Sequence, residues 1–366
     1  RICMSYQNNA SGIRVKSFFA LLKQAVLGSE HQDFTSGSIR RAVVLLAIPM
    51  VLEMIMESVF ALIDIYVVGK LGVTEAVTTI ALTEFVLTIV YSIGIGLSMA
   101  ATAMVARRVG EKDHDAAARS GMQAIYLGIL VSLVITIIGA VFPADILRLM
   151  GATEETGRIG TPYTRIVFAS NVVVMLLFLI NGIFRGSGDA AMAMRSLWLA
   201  NICNIILCPL LVLYGIGPIP ALGITGAALA TSIGRGIGVL YQLYHLFGSK
   251  RIIKIRRAHV APDWKLIRAI FKLGWTATLQ FIIASASWMV LGRIMAAFGP
   301  AAVAGYGLSI RLIMFFLLPA WGISNAAATL VGQNLGARQP DRAERSVWTT
   351  AKYNTVFMIF VTLIFL

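Results

Sequence analysis

Four carboxylates stand inside long apolar runs, Glu53, Glu57 and Asp64 in one and Glu84 in the next. An acid at the centre of a membrane helix costs about 2.5–3.5 kcal/mol on the insertion scale. Residues that carry such a cost normally face a protein interior and take part in ion or proton traffic. Glu53, Glu57 and Asp64 are spaced by four and then seven residues, which sets all three on one helix face. Such a stripe reads as a cation pathway. A carboxyl withdrawn from water holds its proton more tightly, so it can load and release one as water comes and goes. The spacing also fits a structural role, with Glu53 or Glu57 near a helix end or paired with a buried arginine. Pro49, one turn before Glu53, weakens the backbone ladder there.

Arg235, Arg293 and Arg311 also lie in apolar runs. The first two are close enough to run ends to snorkel. Arg311 is nine residues into its helix and needs a carboxylate or backbone carbonyls, in a structural or a gating role. Asn171, Asn181, Asn201 and Asn204 form a second polar set, with Asn201 and Asn204 on one helix face. Such amides serve either as cross-bundle hydrogen bonds or as neutral ligands for Na⁺ and partners for a protonated acid. The glycine spacings Gly182–Gly186 and Gly234–Gly238 permit close helix contact. Nothing reads as an enzyme. There is no P-loop, and His31, His114, His245 and His259 are scattered without a triad or metal-ligand spacing.

The elements that must hold these groups are membrane helices. The 366 residues are 58% hydrophobic and 13% charged, with a mean hydropathy of +0.82. One soluble core cannot hide that much apolar surface. The net charge of +14 does not point to nucleic acid, because the basic residues gather at the ends of apolar runs. Cys3, Cys203 and Cys208 form no disulfide or metal pattern. Nine runs are long enough to span a bilayer: roughly 42–69, 76–105, 117–142, 160–184, 191–214, 223–247, 269–298, 302–332 and 347–366. Arg40, Arg41, Arg107, Arg108, Arg185, Arg195, Arg251, Arg256 and Arg338 all fall on one side of that plan. This alternation places the N-terminus in the cytoplasm of a multi-pass plasma (inner) membrane protein.

The chain repeats itself 226 positions on. Gly96, Ser98, Ala100, Ala101, Val105 and Gly110 return as Gly322, Ser324, Ala326, Ala327, Val331 and Gly336, and Ala117, Arg119 and Ser120 as Ala343, Arg345 and Ser346. Six spans precede the basic stretch 248–268, so the two copies run the same way through the membrane. The expected plan is all-α and polytopic. It has a cytoplasmic tail (1–40), an N-lobe of helices 1–6 (41–247), a linker (248–268) and a C-lobe (269–366) holding three of six helices. The tail forms either an amphipathic surface helix or a disordered arm. The chain opens on Arg1 and stops at Leu366 within an apolar run, which reads as a C-terminally truncated piece.

Several of these residues resemble the MATE (multidrug and toxic compound extrusion) family. They are Leu62–Ile63–Asp64–Ile65–Tyr66 with Gly69, Ala304–Gly305–Tyr306–Gly307 with Arg311, and Val331–Gly332–Gln333–Asn334–Leu335–Gly336. Asn181 with Arg185–Gly186–Ser187–Gly188–Asp189, and Asn204 with Pro209, are similar to its DinF-like branch. The resemblance implies a twelve-helix antiporter of two lobes that exports organic, often cationic, compounds against inward H⁺ or Na⁺. It implies Asp64 as the coupling acid, with Asn181 and Asn204 beside it as ligands for a coupling Na⁺. It implies no tightly bound cofactor and a monomer in the bilayer. Where the branch has an Asp one turn after the residue matching Asn204, this chain has Cys208. A thiol, with an unperturbed pKa of about 8.5, is a poor substitute. Either Asp64 works alone, or Glu57 supplies the second charge. Glu53, Glu84, Asn201 and Arg311 are candidates for lining or gating the cavity. The alternatives are a lipid or lipid-linked oligosaccharide flippase of the same superfamily, which should line its cavity with cations, and a non-transporting membrane scaffold.

Overall fold

The computed structural model describes residues 20–27, 33–215, 217–218, 220–248, 252–298 and 300–366. Most of the expected tail therefore lies outside the described residues. Among those described the chain is helical and has no strand. A short helix α1 covers residues 20–27. It is followed by α2 (Ile39–Gly69), α3 (Thr74–Gly110), α4 (His114–Val141), α5 (Pro143–Leu149), α6 (Glu154–Ala169) and α7 (Asn171–Gly186). Then come α8 (Ala190–Pro209), α9 (Ile224–Gly248), α10 (Trp264–Ala296), α11 (Pro300–Gly336) and α12 (Pro340–Phe365). Aspartates start several of these helices by accepting orphan backbone N–H groups: Asp113 from Ala116, Asp189 from Met192, Asp263 from Lys265 and Leu266.

Seven helices among the described residues are long and apolar enough to cross a bilayer, and α6 with α7, bent by 40°, makes up to eight. The expected nine is thus not reached by length and apolarity alone. The sixth run, 223–247, is the 25-residue helix α9; Arg235, Thr225, Thr231, Ser232 and a series of glycines dilute its hydropathy. The fourth run is two helices rather than one straight span.

The packing explains the glycine spacings. A Cβ on Gly182 would meet the Ser98 carbonyl at 2.6 Å, and one on Gly186 the Thr102 carbonyl at 2.6 Å. Ser98 and Thr102 donate to the carbonyls of Phe178 and Gly182 at 2.7 and 2.9 Å, so α3 and α7 run parallel in close contact. On α9, Gly234 is pressed against the Ala200 carbonyl and Gly238 against Ser196, which seats α9 antiparallel on α8.

The sequence repeat is also a repeat of backbone geometry. Lys112 and Arg338, 226 apart, are the two described non-glycine residues with positive φ, at 60° and 58°. Around each the same bonds recur. Lys112 and Arg338 donate to Val109 and Leu335 at 2.9 and 3.1 Å. Asp113 and Gln339 donate to Arg108 and Asn334 at 3.0 and 2.8 Å. The left-handed turn ends the long helix and starts the next one in both copies. The two helix ends also cross reciprocally. A Cβ on Gly110 would run into the Gln333 carbonyl, and one on Gly336 into the carbonyl of Arg107, its counterpart.

The stretch before α10 is pinned rather than loose. Gln123 on α4 donates to the Ala261 carbonyl at 3.0 Å and accepts from the Asp263 N–H at 2.9 Å. Tyr126 donates to the Val260 carbonyl at 2.7 Å, and Arg119 pairs with Asp263 at 3.2 Å.

Gly110→Val or Gly336→Val must push the crossing helix ends apart. Overpacking of this kind costs about 1–3 kcal/mol, so either variant lowers the melting temperature in detergent micelles. Gly157→Val, where an added Cβ meets open space, leaves it nearly unchanged.

Candidate functional site

The site is built on α2 and α8, which run parallel in register. Glu57 meets Asn201 and Asp64 meets Cys208, both 144 residues on, and the Trp198 indole N–H donates to the Leu52 carbonyl at 3.1 Å. The acid stripe thus faces a stripe of polar side chains, in three layers.

In the first layer Glu53 is buried, 1% exposed. It accepts from the Asn181 amide at 3.1 Å and lies 3.8 Å from the Arg185 guanidinium; its Oε2 has no partner. Asn181 Oδ1 in turn accepts from Gln242 at 2.6 Å and from Ser196 at 3.1 Å. In the second layer Glu57 accepts from Asn201 Nδ2 at 2.9 Å and from Arg235 at 2.6 and 3.4 Å. Arg235 also lies over the Phe60 ring, 5.2 Å from its centroid. In the third layer half-buried Asp64 accepts from the Cys208 thiol at 3.3 Å. Asn204, one turn earlier on α8, donates to Thr231 of α9 at 2.9 Å, and its Oδ1 is buried without a partner.

Asp64 and Cys208 therefore meet at one level, with Asn204 one turn away on α8 and bonded to α9, while Asn181 does not join them. It is committed to Glu53, eleven residues before Asp64 on α2, about 16 Å away along the axis. The expected grouping of Asp64, Asn181 and Asn204 around one Na⁺ is not assembled in this conformation, because α7 presents Asn181 to the opposite end of the stripe. Glu84 is exposed on α3, within electrostatic range of Tyr91 and Tyr163, which also feel Asp64. The side chain of Arg311 lies outside the described residues. Arg235 does not snorkel. It is buried and holds Glu57, because it stands at the middle of α9.

Arg185 and Gln242 were not singled out by sequence reasoning as site residues, nor were Ser196 and Thr231, which bond Asn181 and Asn204. The signal for Arg185 was charge balance: three acids in apolar surroundings require cations nearby. Gln242 sits one turn beyond Gly238 on the α9 face that the Gly234–Gly238 pair brings against α8. Among the described residues no cluster of His, Cys, Asp and Glu is arranged to hold a metal ion. What the layers offer is carboxylates with neutral donors and guanidinium counter-charges. That chemistry binds protons and monovalent or organic cations.

The model of the MatE family matches residues 49–210 and 277–366. The chain is 26% identical over 306 residues to the multidrug export protein MepA of Staphylococcus aureus (strain NCTC 8325 / PS 47), covering 84% of this chain and 67% of that one. It is 25% identical over 301 residues to MepA of Staphylococcus saprophyticus, covering 82% of this chain and 66% of the relative's length. Among solved structures, an outward-facing multidrug resistance MATE family transporter of the MOP superfamily aligns with a TM-score of 0.84 at 25% identity, over 90% of this chain and 72% of that one. A MOP superfamily transporter from Pyrococcus furiosus, described as having a binding pocket of reversed polarity, aligns at 0.83 and 25% with the same coverage.

The Glu57–Arg235 pair is lopsided: Glu57 is 26% exposed and Arg235 8%. Glu57→Gln strands a buried guanidinium and costs up to about 3–5 kcal/mol. Arg235→Gln leaves a carboxylate that water and protons can reach, so its cost is smaller. Thermal melts of the two variants in detergent should rank in that order.

Proposed function

Because this chain belongs to the MatE family, a family of multi-pass membrane transporters, we propose that it is a secondary antiporter. It exports organic cations in exchange for H⁺ or Na⁺ by alternating access of two lobes. The observation that carries this reading is the acid stripe of α2. Glu57 and Asp64 are both partly open to solvent, each is bonded to a side chain of α8, and they lie two turns apart on one face. An acidic wall suits a cationic cargo rather than an anionic lipid headgroup. Asp64 is the coupling acid, Cys208 and Asn204 are its neutral partners, and Glu57 is the second charge, with Glu53 and Asn181 forming the layer below.

The lobes are 41–247 and 269–366, joined by 248–268. The family matches start 228 residues apart, at 49 and 277, close to the spacing of the repeated left-handed turns. The basic ends of α3 and α11 face the cytoplasm, where the N-terminus also lies, in a plasma (inner) membrane. Their reciprocal crossing closes that side, so this conformation opens outward. The protein works as a monomer with no resident cofactor.

The test is ethidium efflux from proteoliposomes carrying the protein, with a proton or Na⁺ gradient imposed separately. Asp64→Asn should abolish gradient-driven efflux while the protein still inserts and purifies normally; wild-type efflux from that variant would remove Asp64 from the mechanism. Cys208→Asp, which adds a second carboxyl at the coupling level, should shift the dependence of efflux on pH and Na⁺. An unaltered ion profile would place Cys208 outside the coupling site.

A further inference from the structure

The Glu57–Arg235 pair shows the full recognition set for a flat organic cation. The guanidinium takes two contacts from one carboxylate, at 2.6 and 3.4 Å, and lies 5.2 Å from the centre of an aromatic ring. Arg235 thus occupies the kind of place that an exported cation needs. A cation arriving at Glu57 must displace it, and a displaced arginine in an apolar bundle needs another acid.

The backbone says where that acid is. Gly234 packs between Ala200 and Asn204, since a Cβ there would meet the Ala200 carbonyl at 2.6 Å and the Asn204 nitrogen at 3.2 Å. Thr231, one turn before Arg235, bonds Asn204. On α8, Asn201 marks the level of Glu57 and Cys208 the level of Asp64. The root of Arg235 therefore stands near the level of Asn201 and Glu57, one turn beyond Thr231. Asp64 is seven residues from Glu57 on the same face of α2, about 10 Å along the axis, on the Thr231 side of the arginine, so an exchange between the two acids carries the guanidinium about that distance. Asp64 and Arg235 are already within electrostatic range of each other. The other ionisable groups near Arg235 or Asp64 are Cys208, bonded to Asp64, and Tyr91 and Tyr163, with Glu84 within range of both tyrosines.

We propose that Arg235 is a guanidinium pivot that exchanges between Glu57 and Asp64, making an organic cation at Glu57 and the coupling ion at Asp64 mutually exclusive. The inference rests on the antiport reading and supplies its linkage. With Arg235 on Glu57, Asp64 holds a proton or Na⁺. When a cationic cargo pairs with Glu57, Arg235 moves to the Asp64 carboxylate, and the proton or Na⁺ leaves to water. One positive charge enters and one leaves, so the site stays neutral. Indirect competition of this kind does not require cargo and ion to touch the same carboxylate.

The test uses the whole chain in proteoliposomes and in detergent, with ethidium as the probe cation. Ethidium binding is titrated by its fluorescence at acid and alkaline pH and with and without Na⁺, and proton release is followed in weak buffer. Wild type should lose affinity by about tenfold when the coupling ion is raised. Arg235→Gln should bind ethidium at least as tightly, but the antagonism should fall below about twofold and ion release on binding should vanish. Arg235→Lys keeps a cation for folding without the planar fork, and should retain only a fraction of the antagonism. Full antagonism in either variant overturns the pivot. Wild-type vesicles that expel ethidium under neither gradient would overturn the antiport reading, and the pivot with it. Wild-type vesicles that work while Arg235→Gln keeps full antagonism overturn the pivot alone.

Discussion

A charge inside an apolar bundle must be matched, and that constraint organises this molecule. Glu53, Glu57 and Asp64 share one face of α2. Arg185 comes from α7, Arg235 from α9, and the neutral donors Asn201 and Cys208 from α8. The helices that surround α2 are positioned so that each acid finds a partner. Close approach is what makes this possible. The glycines of α7 and α9 bring backbones into direct contact with α3 and α8, and the short side chains of Asn181, Asn201 and Cys208 bond directly to the acids of α2. The pairs are not equivalent. Glu53 is sealed, Glu57 is reachable, and Asp64 has only a weak thiol donor. Matching is therefore closest at Glu57, with a guanidinium at 2.6 Å and an amide at 2.9 Å, and loosest at Asp64, whose bonded partner is a thiol at 3.3 Å.

Much of this was legible in the sequence. Acids at four- and seven-residue spacing must share a helix face, and the structure puts them on one. Glycine pairs four apart predicted close crossings, and both are found. The 226-residue repeat predicted two related segments, and the matching left-handed turns at Lys112 and Arg338 bear this out at the level of single hydrogen bonds. The failures have a common physical cause. Periodicity fixes which face a residue occupies but not its height relative to a neighbouring helix. Asn181 was therefore expected beside Asp64 and stands beside Glu53, and Arg235 was expected at a water interface and sits mid-helix. Height depends on where each helix starts, and that is set by loops and caps such as Asp189 and Gly188, whose effect accumulates along the chain.

The near-symmetric crossing of α3 and α11 gives the repeat a mechanical meaning. Each helix end offers a glycine to the other's backbone carbonyl. A contact of this kind has no side chain to deform, so it is either made or lost. Any parting of these helix ends therefore has the character of a switch rather than a graded squeeze.

The segment ahead of α10 deserves a different mechanical description from that of a tether. Gln123 uses both ends of its amide on it, Tyr126 adds a third anchor, and Asp263 passes the connection on to Arg119 and to the first turn of α10. A cord would let the second half drift independently of the first. A riveted spar instead delivers any tilt of α10 to the base of α4, so the two elements share one fulcrum at that corner of the molecule.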